Sequence, residues 1–141
     1  MPTIFTHIIE GRIPGTFVWR DERAVAFLSI NPMAFGHTLV VPIDEIDHWV
    51  DAPPDLAAHL FDVTRTIALA QQAAFSPERV AVIIAGYEVP HTHIHVVPTT
   101  ELAQVSFAAA ADSVERSELD DAASRIKDAL RSLGHGAHVP D

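Results

Sequence analysis

Between residues 91 and 95 the chain reads His91-Thr92-His93-Ile94-His95, and this alternation leaves little choice of local structure. Side chains of a strand point to opposite faces with a period of two, so all three imidazoles share one face. On a helix each two-residue step turns by about 200°, given 3.6 residues per turn, and would scatter them. The apolar Ile94 and Val96 between and after them also argue for a strand. Three imidazoles side by side are poor core material, because each must find a hydrogen-bond partner or bear a desolvation cost. Three readings are open on the residues alone. The histidines form the polar outer face of a sheet, or a zinc site, or a centre for histidine-based group transfer.

The third reading explains why histidine is needed repeatedly. A neutral imidazole is a good nucleophile when one nitrogen points its proton at a fixed acceptor and leaves the other lone pair free. A flanking imidazole then donates to a phosphate oxygen or serves the leaving group without the repulsion a carboxylate would bring.

The rest of the chain supplies a frame for such a strand. Residues 2–11 suit a short helix closed at Gly11, with a turn at Pro14-Gly15. Thr16 to Arg20 and Ala24 to Ile30 read as strands around a turn at Asp21-Glu22-Arg23, and His37 to Val41 as a third strand closed by Pro42. Leu56, Leu60, Val63, Ile67 and Ala74 mark the apolar stripe of a long helix from Pro54 to Ser76. Val80 to Ala85 is a continuous apolar run bounded by Gly86, which reads as a central strand, and Thr92 to Pro98 as a fifth. Residues 99–115 are alanine-rich without a clear period. Ser117 with Asp120 resembles a capping box for a last helix carrying Leu119, Ile126, Leu130 and Leu133 and ending at Gly134. The expectation is a single domain over residues 1–134 and a flexible tail over 135–141.

With 141 residues, 48% of them hydrophobic, the chain suffices for one buried core. It has no cysteine, which removes disulfides, thiolate catalysis and cysteine-bearing zinc sites. A net charge of −10 argues against nucleic acid or an anionic membrane as partner. No apolar run is long enough to span a bilayer and the first residues lack a signal-peptide pattern, so a cytoplasmic protein is expected.

The segment His91-Thr92-His93-Ile94-His95-Val96-Val97-Pro98 resembles the signature of the histidine triad (HIT) family, His-φ-His-φ-His-φ-φ with φ apolar. The resemblance extends over Phe5, Ile8-Ile9, Gly11, Ile13-Pro14, Ala26-Phe27-Leu28, Ile30, Pro32 and Gly36-His37-Thr38-Leu39-Val40-Val41-Pro42, covering roughly residues 4 to 98. It implies an α+β HIT-like fold, with a five-stranded antiparallel sheet, a long central helix and a C-terminal helix, and a homodimer. It further implies that His93 is the nucleophile, that His95 contacts phosphate or leaving group, that His91 orients the site, and that His37 is the upstream fourth histidine. Phe5, Ile8, Ile13, Phe27 and Ile30 fall where the family binds the base.

Three departures bear on substrate. Ser29 stands where the family commonly has an aspartate holding the ribose hydroxyls, and lacks the strength of a charge-assisted bond. Tyr87 replaces a glutamine, and Glu88 beside it is either an exposed turn carboxylate or an acceptor for an amine-bearing leaving group. Glu45 stands where some members have a zinc-binding histidine, and with no cysteines the expectation is no metal and no cofactor. His7, His48 and His59 read as surface residues. The resemblance is to the Hint-like bacterial branch, which implies hydrolysis of AMP-like purine nucleoside phosphoramidates through a covalent nucleotidyl-histidine. The alternatives are dinucleoside polyphosphate hydrolysis and a non-catalytic nucleotide-binding scaffold.

Overall fold

A computed structural model describes residues 1–141. Five strands form one antiparallel sheet: β1 (Phe17–Arg20), β2 (Ala24–Leu28), β3 (Thr38–Pro42), β4 (Arg79–Ile83) and β5 (Ile94–Thr99), in the order β1-β2-β3-β5-β4. Helix α1 (Ile4–Ile9) lies on one face, and helices α2 (Pro54–Phe75) and α3 (Arg116–Ser132) cover the other. No helix is long and apolar enough to cross a membrane.

The strand alternation distributes side chains between two cores. Ala24, Ala26, Leu28, Val40, Ile94 and Val96 face α2 and α3, where Leu56, Leu60, Val63 and Ile67 meet Leu119, Ile126 and Leu130. Full burial of each such Leu or Ile is worth about 1.5–3 kcal/mol, so this layer supplies most of the stability. Val25, Phe27, Leu39 and Val41 point the other way, against Phe5 of α1. Leu39 pairs with His95 across the β3–β5 ladder, so His95 belongs to the α1 face as well. The triad is therefore carried on the thinly covered side of the sheet.

Several sequence expectations need correction. The apolar run at 80–85 forms an edge strand rather than a central one, because β5 inserts between β3 and β4; Val82 remains 45% exposed. The ladder of β5 begins at Ile94, two residues later than the alternation suggests, so only His95 lies in the paired strand, while Thr92 N–H and Oγ1 both bond the Ile46 carbonyl instead. Helix α1 is shorter than the expected 2–11, since Thr3 caps it by accepting from Thr6 N–H. Helix α3 starts at Arg116 after Glu115, with no side-chain cap; Val114, packed on the helix-side core, sets the chain's entry, and Ser117 falls inside the first turn. Residues 102–104 and 107–109 are short 3₁₀ turns.

Residues 135–141 are not a loose end. Gly134 adopts φ +94°, and bonds from Gly134 N–H to Arg131 O and from His135 N–H to Leu130 O reverse the chain in a Schellman turn. A 3₁₀ turn over Gly136–His138 then sets the His138 ring 4.8 Å from that of Trp19, and Val139 packs on the core.

Candidate functional site

A cavity of about 350 Å³ opens between α1, the loop after β2, and the triad. That volume lies in the roughly 300–1,000 Å³ range of small-molecule sites. Its lining is apolar at Ile4, Phe5, Ile8, Ile13, Phe27 and Phe107 and polar at His93, His95, His37 and Glu88. Ser29, Ile30 and Asn31 also line it. The structure thus gathers Phe5, Ile8, Ile13, Phe27, Ser29, Ile30, Glu88, His37, His93 and His95 around one space. His91 is the exception: it is fully buried and does not line the cavity.

Fixed partners determine where each imidazole carries its proton. His91 Nε2 lies 2.7 Å from the Pro42 carbonyl, which only accepts, so Nε2 bears the hydrogen. Its Nδ1 then accepts from Thr3 Oγ1 at 2.7 Å. Thr3 is also the α1 cap, and Glu45 accepts its backbone N–H at 2.8 Å, so His91 fastens α1 to the sheet. Its own carbonyl accepts from His93 Nδ1 at 2.7 Å. Nδ1–H is accordingly fixed on His93, and Nε2 is the nitrogen that faces the cavity. Phe5 sets its ring edge-on to His93 at 5.0 Å and to His91 at 5.7 Å, which holds both planes.

A second chain of bonds orients His95. The Met33 N–H donates to His37 Nδ1 at 3.0 Å, so His37 carries its hydrogen on Nε2 and donates to His95 Nδ1, also at 3.0 Å. His95 therefore holds its hydrogen on Nε2, a buried atom with no hydrogen-bond partner in the protein. A buried donor left open in this way is costly unless a ligand completes it. The ring of Phe107 packs edge-on against His95 at 5.2 Å and excludes water from one side.

Gln71 of α2, fully buried, donates from Nε2 to the carbonyls of Gly36 and Val96, each at 3.0 Å, and so clamps the turn before His37 to β5. Gly36 has φ +90°, and a Cβ there would stand 2.5 Å from the Phe75 ring, so this turn requires glycine.

Burial sets the electrostatics. Desolvation pushes the His37 pKa down to about 3, with the neighbouring His95 adding to the effect. Burial likewise depresses His91 and His95. For Glu88, burial works to raise the pKa, but the neighbouring His93 and His95 imidazoles outweigh it and leave the pKa lowered. Its Oε2 lies 3.3 Å from His93 Nε2 and 3.6 Å from His95 Nε2.

The His37 shift has a consequence for stability. The unfolded chain takes up a proton there near pH 6.5, whereas the folded one resists until about pH 3. The stability held by this neutral residue is complete above pH 6.5 and is lost as the pH falls from 6.5 towards 3, because only the unfolded state binds the proton in that window. Urea unfolding is therefore expected to show a lower midpoint at about pH 5 than at about pH 7.5. An equal or higher midpoint at the acid pH would contradict the buried neutral chain.

Glu88, His93 and His95 offer three ligand atoms within 4.8 Å of one another, the spacing of a metal site. The hydrogen on His95 Nε2 points at the position a cation would take. Freeing that lone pair requires reversing the His95 and His37 tautomers, which turns a His37 Nδ1–H against the Met33 N–H in a buried place. The arrangement suits an anion better than a metal.

Some contributors were not legible beforehand. Thr3, Gln71 and the Met33 N–H act around the histidines from distant parts of the chain, Phe107 reaches the cavity from the region without a period, and Arg116 from the start of α3. No local pattern marks them. Elsewhere, His59 donates to Asp21 at 2.8 Å, and Asp21 also receives Trp19 Nε1.

The HIT domain family model matches residues 10–102. An uncharacterized HIT-like protein of Methanocaldococcus jannaschii is 37% identical over 70% of this chain and 79% of its own length. Adenylylsulfatase HINT3 of Arabidopsis thaliana is 27% identical over 70% of this chain and 52% of its own. Among solved structures, a hypothetical histidine triad nucleotide-binding protein from Sulfolobus tokodaii superposes with a TM-score of 0.82 at 27% identity, covering 92% of this chain and 93% of that one.

Proposed function

This chain belongs to the HIT domain family, and from that premise we propose that it hydrolyses AMP-like nucleoside phosphoramidates through a covalent nucleotidyl-histidine on His93. The observation that carries this reading is the pair of Nε2 atoms in the cavity wall. His93 offers a lone pair fixed by the His91 carbonyl, and His95 offers an unpartnered N–H fixed by His37. A nucleophile and an anion donor side by side are what displacement at phosphorus requires. The relative named an adenylylsulfatase supports a nucleotide hydrolase.

The base would lie against the apolar lining and the α-phosphate would lie at the histidines. His93 Nε2 attacks phosphorus, forming the N–P bond, while His95 Nε2–H bonds a non-bridging oxygen. The substrate nitrogen, protonated by solvent and held by Glu88, leaves with the P–N bonding pair as a neutral amine. Water then attacks phosphorus, the N–P pair returns to Nε2, and the water proton passes to Glu88 and on to solvent. Positive charge on the substituted imidazole is met by the His91 carbonyl through Nδ1–H. No step draws on a cofactor.

Incubation with adenosine 5′-phosphoramidate tests this directly. AMP should be released with turnover, and acid quench during turnover should trap a nucleotidyl group on the peptide carrying His93. Turnover without that adduct, or a protein that binds AMP and releases none from the conjugate, defeats the proposal; the latter favours a binding scaffold.

The homodimer belongs to the same reading. The open edge of β4 carries exposed Val82, and α2 exposes Phe61 and Leu69, an apolar edge and helix face of the kind that pairing covers. Sedimentation equilibrium is expected to return twice the 15.3 kDa chain mass. A monomer at micromolar concentration would refute it.

A further inference from the structure

The wall of the cavity carries a feature that the hydrolytic reading does not use. Ser29 is nearly buried, its Oγ accepts from Asn31 N–H at 3.2 Å, and its hydroxyl hydrogen has no acceptor in the protein. Asn31 donates its side-chain amide to the carbonyls of Ala111 and Asp112, tying this loop to the segment that leads into α3. Arg116, the first residue of α3, lines the same cavity as Ser29. Only its Nε is engaged, by Asp120 at 3.1 Å, which leaves both terminal nitrogens free. Glu118 lines the neighbouring cavity that Ser29 also borders, and Glu88 stands beside the histidines.

A nucleotide with its phosphate at His93 and its base against Phe27 would set its sugar on the cavity wall that Ser29 and Arg116 share. A free ribose diol presents two donors and is held best by a carboxylate, and none stands there. A hydroxyl hydrogen and a guanidinium fork with no protein partner are instead the donors that a phosphate ester seeks. Dinucleotide sites make the same exchange, with an acid for the hydroxyl form and an arginine for the phosphorylated one. We infer that this cavity prefers nucleotides whose ribose carries a phosphate ester, held by Ser29 and Arg116. The inference rests on the nucleotide-binding reading above.

Binding separates the two. Isothermal titration with AMP, adenosine 2′,5′-bisphosphate and adenosine 3′,5′-bisphosphate is expected to show one bisphosphate binding about tenfold more tightly than AMP. Arg116 is exposed at a helix start, so Arg116→Ala leaves the core untouched and should abolish that preference. Ser29→Asp should reverse it. AMP binding as tightly as both bisphosphates, or a preference that survives Arg116→Ala, overturns the inference. Hydrolysis of adenosine 5′-phosphoramidate, followed in parallel, reports on the other proposal: a bisphosphate preference without turnover sinks only the hydrolase, turnover without the preference sinks only this inference, and no nucleotide binding sinks both.

Discussion

His93→Ala is expected to lower kcat for AMP release from adenosine 5′-phosphoramidate by about 10⁴-fold or more, the scale on which removal of an attacking residue acts. The affinity for AMP should change little, since His93 supplies the reacting lone pair while the apolar lining holds the base. Retained AMP binding also shows that the variant is folded. The nucleotidyl adduct should vanish with turnover. Two observations would sink the assignment: a variant that keeps more than a few percent of the activity, or one that still yields an adduct elsewhere in the chain. His93→Gly gives a second route, because the vacated volume beside Phe5 admits free imidazole, and added imidazole should restore part of the rate by attacking in place of the side chain.

His37→Leu should cost about 100-fold in kcat, the upper range for removing a group that orients another. His37 is a positioning residue. It fixes which nitrogen of His95 bears hydrogen, and without it the His95 ring is free to adopt the tautomer that turns a lone pair on the phosphate. A merely structural role would predict similar losses for any replacement. Glutamine, however, can accept from the Met33 N–H and donate to His95 at once, so His37→Gln should recover a substantial part of the rate. His37→Leu should also flatten the fall in urea midpoint between about pH 7.5 and 5, since the residue depressed to about pH 3 is gone. Equal activity in the leucine and glutamine variants, with an unaltered pH dependence of stability, would reduce His37 to packing.

Sequence patterns reached the frame of this protein and stopped short of its wiring. The stripe of Leu56, Leu60, Val63 and Ile67 announced α2 with its true end at Ser76, and the strands on either side of Asp21 lie within a residue or two of expectation. Periodicity succeeds there because a two-faced element must bury one face whatever its neighbours are. The run at 80–85 reads as central although it lies at an edge, because an apolar strand looks the same from sequence whether it is central or waits at an edge for another surface. Ser117 carries the capping signature, yet packing of Val114 starts the helix before it. Residues 99–115 offer no period because they include short turns whose side chains act singly, such as Phe107 against His95.

Alternation by itself pointed to a shared face for His91, His93 and His95, of which only His95 lies in the paired strand, and the wider resemblance pointed to the fold that carries them. What tertiary structure alone decided is their division of labour. His91, with Pro42 on one nitrogen and Thr3 on the other, is a buried strut; His93 keeps a free Nε2; His95 keeps an open N–H. The reason is physical. A neutral imidazole can carry its proton on either nitrogen, and a fixed donor or acceptor, here backbone groups of Met33, Pro42 and His91 from separate parts of the chain, selects between them.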